Sequence, residues 1–276
     1  MANASSMDIA SRLDIASRLD LAIEIARRAG KLTLEHFQPG IRFERKSDDS
    51  PVTVADRAAE QLLREAVRHA FPDDGIIGEE FGEHDGSSDF TWIFDPIDGT
   101  KSFNSGVPLY GTMVGVQHDG RCPIGVVYIP GLDEMIYAAT GGGAWHVKNG
   151  GQPVEAKVAD YDDLNDALFV TSQVNTFAER GAADAYLALE KKAYITRSWG
   201  DCYGYLLVAT GRAGLMVDPI MNIWDAAAVQ PIMEEAGGVF VDWQGNPKVD
   251  SGDGIGTTKK LLPQVLEITR QFPPQK

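Results

Sequence analysis

The chain has 276 residues, 43% of them hydrophobic and 24% charged, with a formal net charge of −15. That composition allows a large core, while the acid excess repels nucleic acid and anionic membranes and admits a small phosphorylated metabolite only where cations screen the pocket. Two cysteines make no disulfide framework, no run of 18 apolar residues occurs, and no apolar signal block opens the chain, so cytoplasmic residence is expected.

At the amino terminus DIASRL at Asp8 to Leu13 recurs at Asp14 to Leu19. The spacing of Ile9, Leu13, Ala16, Ile23 and Ala26 predicts one amphipathic helix ending near Gly30. Residues 46–56 (KSDDSPVTVAD) predict a polar loop with a brief extended piece at 52–55, and Asp56 stands at the N-cap of a helix that Pro72 and Gly75 close. GIIGEEFG then leads through a polar loop at 82–89 to the strand FTWIF, directly followed by DPIDGT. Strands over 110–129 and 134–147 are separated by turns at Asp119-Gly120 and Pro130-Gly131. Gly141 to Gly143 reads as a tight turn rather than a phosphate loop, because no Lys-Ser/Thr follows it.

Farther along, the sequence predicts a strand at 168–171, a helix at 177–192 and a buried helix at 203–210 ended at Gly211. A strand at 215–217, a helix at 224–236 capped by Gly237-Gly238 and a strand at 239–243 come next. Nothing rich in Pro or Ser divides the chain. One domain over 1–276 is predicted, with halves 1–155 and 156–276 sharing a cleft.

The densest chemical signal is WIFDPIDGT at 92–100. Asp95 and Asp98 flank Pro96, whose fixed φ stiffens the turn between them. Gly99 allows backbone to approach a ligand closely, so the amides of Gly99 and Thr100 can donate to phosphate oxygens. Paired carboxylates of this kind suit hard cations, although D-P-I-D alone could be an acidic surface turn. Taken alone, Asp225 at a helix start reads as an N-cap and Glu79 as surface.

Their joint order changes that reading. With VTVAD at 52–56, GEE at 78–80, DPIDGT at 95–100, WDAAA at 224–228 and AGG at 236–238, the sequence resembles the inositol monophosphatase family of magnesium-dependent, lithium-sensitive phosphatases, from about Leu21 to Trp243. The resemblance implies an α/β layered sandwich (α-β-α-β-α, the sugar-phosphatase fold) with mixed sheets in two closely packed halves, commonly as a homodimer. It implies two or three Mg2+ ions held by Glu79, Asp95, Asp98, Asp225 and the backbone carbonyl of Ile97. It further implies in-line attack of water on phosphorus without a phosphoenzyme, the water being positioned and deprotonated by Glu79, Thr100 and Asp56. Asp98, Gly99, Thr100 and Asp225 would surround the substrate. Five histidines without zinc-ligand spacing agree with oxygen ligation.

The string from Trp199 to Ala228 looks like the histidinol-phosphatase branch of that family. In the family, Asp201 and Asp218 fall where residues face the part of the substrate beyond the phosphate. Two acids there suit an amine, because an ammonium relieves a buried unpaired carboxylate. L-Histidinol phosphate is therefore the expected substrate, with inositol 1-phosphate as the alternative. A 3'(2'),5'-bisphosphate nucleotide fits less well, since Arg197 is the only nearby base. Asp201 could equally cap the helix that follows it. A non-catalytic metal- or phosphometabolite-binding regulatory protein would be favoured by loss of a ligand, and none of these residues is lost.

Overall fold

The computed structural model describes residues 9–37, 43–45 and 51–274. The chain opens with α1 (Ile9–Leu34), β1 (Phe43–Arg45), β2 (Pro51–Thr53), α2 (Val54–Ala70), β3 (Gly75–Gly78), β4 (Gly82–His84), β5 (Phe90–Asp98) and α3 (Thr100–Asn104). A meander of β6 (Gly111–His118), β7 (Arg121–Ile129), β8 (Glu134–Ala139), β9 (Ala144–Lys148) and β10 (Val154–Glu155) follows. Then come β11 (Leu168–Val170), α4 (Asn175–Glu179), α5 (Ala183–Lys192), β12 (Ile195–Arg197), α6 (Asp201–Ala209) and β13 (Leu215–Asp218). The chain closes with α7 (Ile223–Ala226), α8 (Val229–Glu235), β14 (Val239–Val241), β15 (Gly254–Thr257) and α9 (Leu262–Thr269).

β1 and β2 form a small hairpin. The other strands form two mixed sheets, ordered β10-β9-β8-β7-β6-β5-β3-β4 and β12-β11-β13-β15-β14. Alternation of side chains along each strand sorts the core into layers. On β5, Trp92 and Phe94 pack with Ile25 and Leu63 of α1 and α2, whereas Ile93 belongs to the cluster holding Leu206 and Ile232 of α6 and α8. On β13, Met216 joins that same middle cluster while Leu215 and Val217 pack with Phe177, Leu189 and Val265 on the far side. The order is thus α1/α2, first sheet, α6/α8, second sheet, α5/α9, an α-β-α-β-α sandwich.

Several elements differ from what the sequence predicts. The buried face of α1 is Ile15, Ala22, Ile25, Ala26 and Ala29; Ala16 is exposed and Ile23 half-buried. The face turns because Arg18 is itself buried, donating Nε and Nη2 to Asp74 at 2.9 Å each. Its guanidinium also lies 3.7 Å from the Phe90 ring centroid and 4.3 Å from that of Phe71. α1 continues past Gly30, where the missing side chain makes room for the Tyr128 ring; a β-carbon there would stand 2.5 Å from Tyr128 Cδ1.

Asp56 is not an N-cap: α2 starts at Val54, and buried Asp56 lies inside its first turn, facing Glu79 and Glu80. Residues 82–84 pair with β3 instead of looping. The helices predicted at 177–192 and 224–236 are each broken into two, and the tail beyond Trp243 supplies β15 and α9. Asp8 and residues 46–50 lie outside the described residues.

Candidate active site

β5 delivers the first acids. In a regular strand, residues three apart point to opposite faces. Between Asp95↔Met113 and Asp98↔Gly111 the register slips, three steps on β5 against two on β6, so an extra residue turns Asp98 back to the side of Asp95. Pro96, lacking an N–H, sits in this bulge, and its carbonyl accepts the Thr112 hydroxyl at 2.8 Å. The Ile97 side chain is buried with Ala55, Phe103 and Tyr110, while its carbonyl accepts the Thr100 hydroxyl at 3.2 Å. Gly99, at φ 86°, then turns the chain into α3.

Glu79 follows β3, which runs parallel to β5 with Gly78 opposite Phe94, and its amide donates to the Phe94 carbonyl at 3.3 Å. The turn is held from behind by α2. Buried Glu60 accepts the amides of Glu80 at 2.7 Å and Phe81 at 3.2 Å, and pairs with Arg64 Nε at 2.7 Å. Asp225 stands at N3 of α7, not at its N-cap: Asn222 caps the helix, and the Asn222 amide donates to Asp225 Oδ2 at 2.7 Å.

These acids form two adjoining groups. One carboxylate oxygen each from Asp95, Asp98 and Asp225 lie within 4.8 Å of one another, and so do oxygens from Asp56, Glu79 and Glu80. Asp95 links the groups, since the charges of Glu79, Asp98, Asp225 and Asp56 all act on it. Burial, reinforced by those charges, raises the Asp95 carboxyl well above the usual range; burial and then Asp201 do the same to Asp98. Burial lifts Asp225 to about 6.

Clustered buried carboxylates are costly without compensating cations. Asp95 Oδ1 is buried with no hydrogen-bond partner among the described residues. An all-oxygen set with one such orphaned atom fits hard divalent cations. Glu80, beside Glu79, was not singled out from sequence, although the GEE motif contains it.

A cleft of about 590 Å³ joins the Asp95 group to a second set of acids. Among the described residues its lining holds seven carboxylates (Glu79, Asp95, Asp98, Glu179, Asp201, Asp218 and Asp225) and one cationic side chain, Lys101. Gly99 and Thr100 line it too, whereas Asp56 lies behind Glu79 and does not. Asp201 takes a left-handed backbone (φ 52°), which Asp tolerates better than most residues. It is the first residue of α6, and Gly200, not Asp201, is the N-cap. Instead Asp98 Oδ2 accepts the Cys202 amide, so an acid from the first sheet caps a helix of the middle layer.

Asp218 is not the unpaired carboxylate the sequence suggests. It accepts the Ser172 hydroxyl at 2.7 Å, the Ser172 amide at 3.3 Å and the Tyr205 hydroxyl at 3.1 Å. Burial outweighs these bonds and raises it to about 7. Ser172 also accepts the Asp201 amide at 2.8 Å, tying both acids together. Burial raises Asp201 as well, opposed by Ser172 and the charge of Lys101. Ser172 carries no motif-level signal and only the fold brings it here, whereas Lys101 follows directly on DPIDGT and Tyr205 lies in the Trp199 to Ala228 string, though neither was singled out.

The sequence model of the inositol monophosphatase family matches residues 14–272. A histidinol-phosphatase of Chlorobaculum parvum is 43% identical over 87% of this chain and 92% of its own. One from Mycobacterium tuberculosis is 36% identical over 89% and 95%. The solved structure of an inositol monophosphatase from Zymomonas mobilis superposes with a TM-score of 0.81 at 30% identity, covering 92% of this chain and 98% of that one.

Proposed function

The chain belongs to the inositol monophosphatase family and is a phosphoric monoester hydrolase, and from that premise we propose that it hydrolyses L-histidinol phosphate with magnesium as its metal. The observation that carries the substrate is the cleft itself. With Glu79, Asp95, Asp98 and Asp225 assigned to the metals, the described lining still sets Asp201, Asp218 and Glu179 against Lys101, which makes it a poor host for a second phosphate. It suits an ester whose other end carries an ammonium. The names of the two relatives support the same reading. The substrate places the enzyme in histidine biosynthesis.

Asp95, Asp98, Asp225, Glu79 and the Ile97 carbonyl are the proposed ligands of two or three ions. When bound, magnesium supplies the positive charge that admits the phosphate dianion, acidifies water and stabilises the leaving oxygen. The chain's own residues do the rest. The Gly99 and Thr100 amides hold phosphate oxygens, with Asp98 and Asp225 bounding the phosphate site. Glu79, supported by Asp56 and the Thr100 hydroxyl, orients the attacking water and takes its proton. Asp201 and Asp218 hold the amine end, Asp201 facing it and Asp218 fixing Asp201 through Ser172.

We treat the chain as a single domain whose parts 1–155 and 156–276 meet at the cleft, working as a cytoplasmic homodimer. Among the described residues no helix is long and apolar enough to cross a membrane. The test of the amine site is Asp201→Ala. Its kcat/KM on histidinol phosphate should fall about 10²-fold while p-nitrophenyl phosphate loses less than about threefold. Equal losses on both esters would remove Asp201 from substrate recognition.

A further inference from the structure

One wall of the cleft is the segment 218–222, which contributes Asp218, Ile220, Met221 and Asn222 to the lining. It leaves β13 as irregular chain and re-enters order only at α7. Its backbone carbonyls must find donors elsewhere. Two of them are met by buried side chains outside the cleft. The Trp243 indole N–H donates to the Asp218 carbonyl at 3.1 Å, and Arg180 Nη1 donates to the Pro219 carbonyl at 2.9 Å.

Arg180 is the hub of this arrangement. The same Nη1 reaches Asp253 Oδ2 at 2.6 Å, Nη2 donates to the Pro273 carbonyl at 3.1 Å, and the guanidinium lies 3.8 Å from the Trp243 ring centroid. Asp253 Oδ1 accepts the Trp243 amide at 2.7 Å, so the ring under the guanidinium is fixed by the guanidinium's own counter-ion. The Arg180 and Asp253 side chains are 4% and 2% exposed. Arg180 directly follows α4, whose Thr176 and Glu179 also line the cleft. One planar cation therefore joins α4, the 218–222 segment, the strand-end residues Trp243 and Asp253, and the carboxy-terminal tail. A lysine offers no planar fork for these three directions and no flat face for the indole.

We propose that Arg180, with Asp253 and Trp243 as its partners, is a positioning residue for substrate. It fixes the 218–219 part of this wall and thereby sets how tightly the organic part of the ester is held, while Asn222, which bonds Asp225, is held separately as the N-cap of α7. The inference rests on the reading that this wall faces that part of the substrate. It predicts a split between substrates that a general structural role would not produce.

The test uses the full-length protein with Arg180→Lys, which keeps a charge beside Asp253. The double variant R180M/D253N removes both buried charges together and so avoids stranding one. Hydrogen exchange is followed in the peptide over 218–224, and steady-state kinetics with magnesium on L-histidinol phosphate and on p-nitrophenyl phosphate. Exchange in 218–224 should speed up in both variants. KM for histidinol phosphate should rise about tenfold with kcat within about twofold, and the aryl ester should change by less than about twofold. Unchanged exchange, or equal losses on both esters, overturns the proposal. If wild type prefers another natural ester, the substrate reading falls on that result alone. The exchange data, and the split between the preferred ester and the aryl phosphate, then still decide the role of Arg180.

Discussion

The Ala228 carbonyl oxygen lies 1.9 Å from the point where a β-carbon on Gly125 would stand. Gly125 is paired in register with Gly115, where a β-carbon would stand 2.9 Å from Ala227, so two bare positions on β6 and β7 form a seat for the turn between α7 and α8. That seat sets the depth at which WDAAA meets the sheet, and with it the place of Asp225. Gly125→Ala should cost about 1–3 kcal/mol of stability, read as a lower denaturation midpoint. It should also weaken magnesium dependence, because Asp225 moves away from Asp95 and Asp98. A variant with wild-type stability and metal response would show that the turn does not rest on this glycine pair.

Asp95 is a buried acid surrounded by other acids. Burial and four neighbouring acids oppose its ionised form, so in the absence of metal it destabilises the fold at neutral pH. Asp95→Asn should raise the Tm of the metal-free protein while lowering phosphate release by about 10²-fold or more. A lower Tm would mean that the carboxylate makes a stabilising contact that outweighs its repulsion.

Metal removal follows the same logic. Magnesium at about 100 times its Kd should stabilise wild type by about 2.7 kcal/mol, and chelation should reverse this. Asp225→Asn should shrink that shift while leaving the metal-free protein folded. Equal shifts in wild type and variant, followed by thermal melting, would place the ion elsewhere.

Glu134 contributes to acid stability. Burial raises its carboxyl, but the His146 hydrogen bond and the charges of Arg212 and Lys148 prevail and bring it down to about 2. Because the folded value lies below the unfolded one, its contribution is present above about pH 4.5 and is lost as pH falls toward 2. Glu134→Gln should therefore cost about 1–2 kcal/mol at pH 7 and flatten the stability curve between pH 4.5 and 2. Parallel curves for wild type and variant across that window would contradict this.

The chemistry was legible in the sequence where it is carried by contiguous motifs. GEE, DPIDGT and WDAAA lie on strand ends and a helix start, and the fold brings Glu79, Asp95, Asp98 and Asp225 to one place. The layered architecture also followed from the resemblance those motifs carry. What escaped depends on partners distant in sequence. The face of α1 turns on Arg18, a residue that reads as polar surface until Asp74 and two aromatic rings surround it. The pairing of Asp218 with Ser172 spans 46 residues, and the bulge that aligns Asp95 with Asp98 exists only against β6. Asp225 was readable as a helix-start acid, but its N3 role needed the position of Asn222.

The acidic cleft of this enzyme is proposed to select a phosphate ester with a cationic tail. The most direct measurement compares kcat/KM with magnesium on L-histidinol phosphate, inositol 1-phosphate and adenosine 3',5'-bisphosphate. Histidinol phosphate should lead the other two by about 10²-fold, the equivalent of roughly 2.7 kcal/mol of transition-state binding. An equal or higher value for inositol phosphate or the bisphosphate would contradict it.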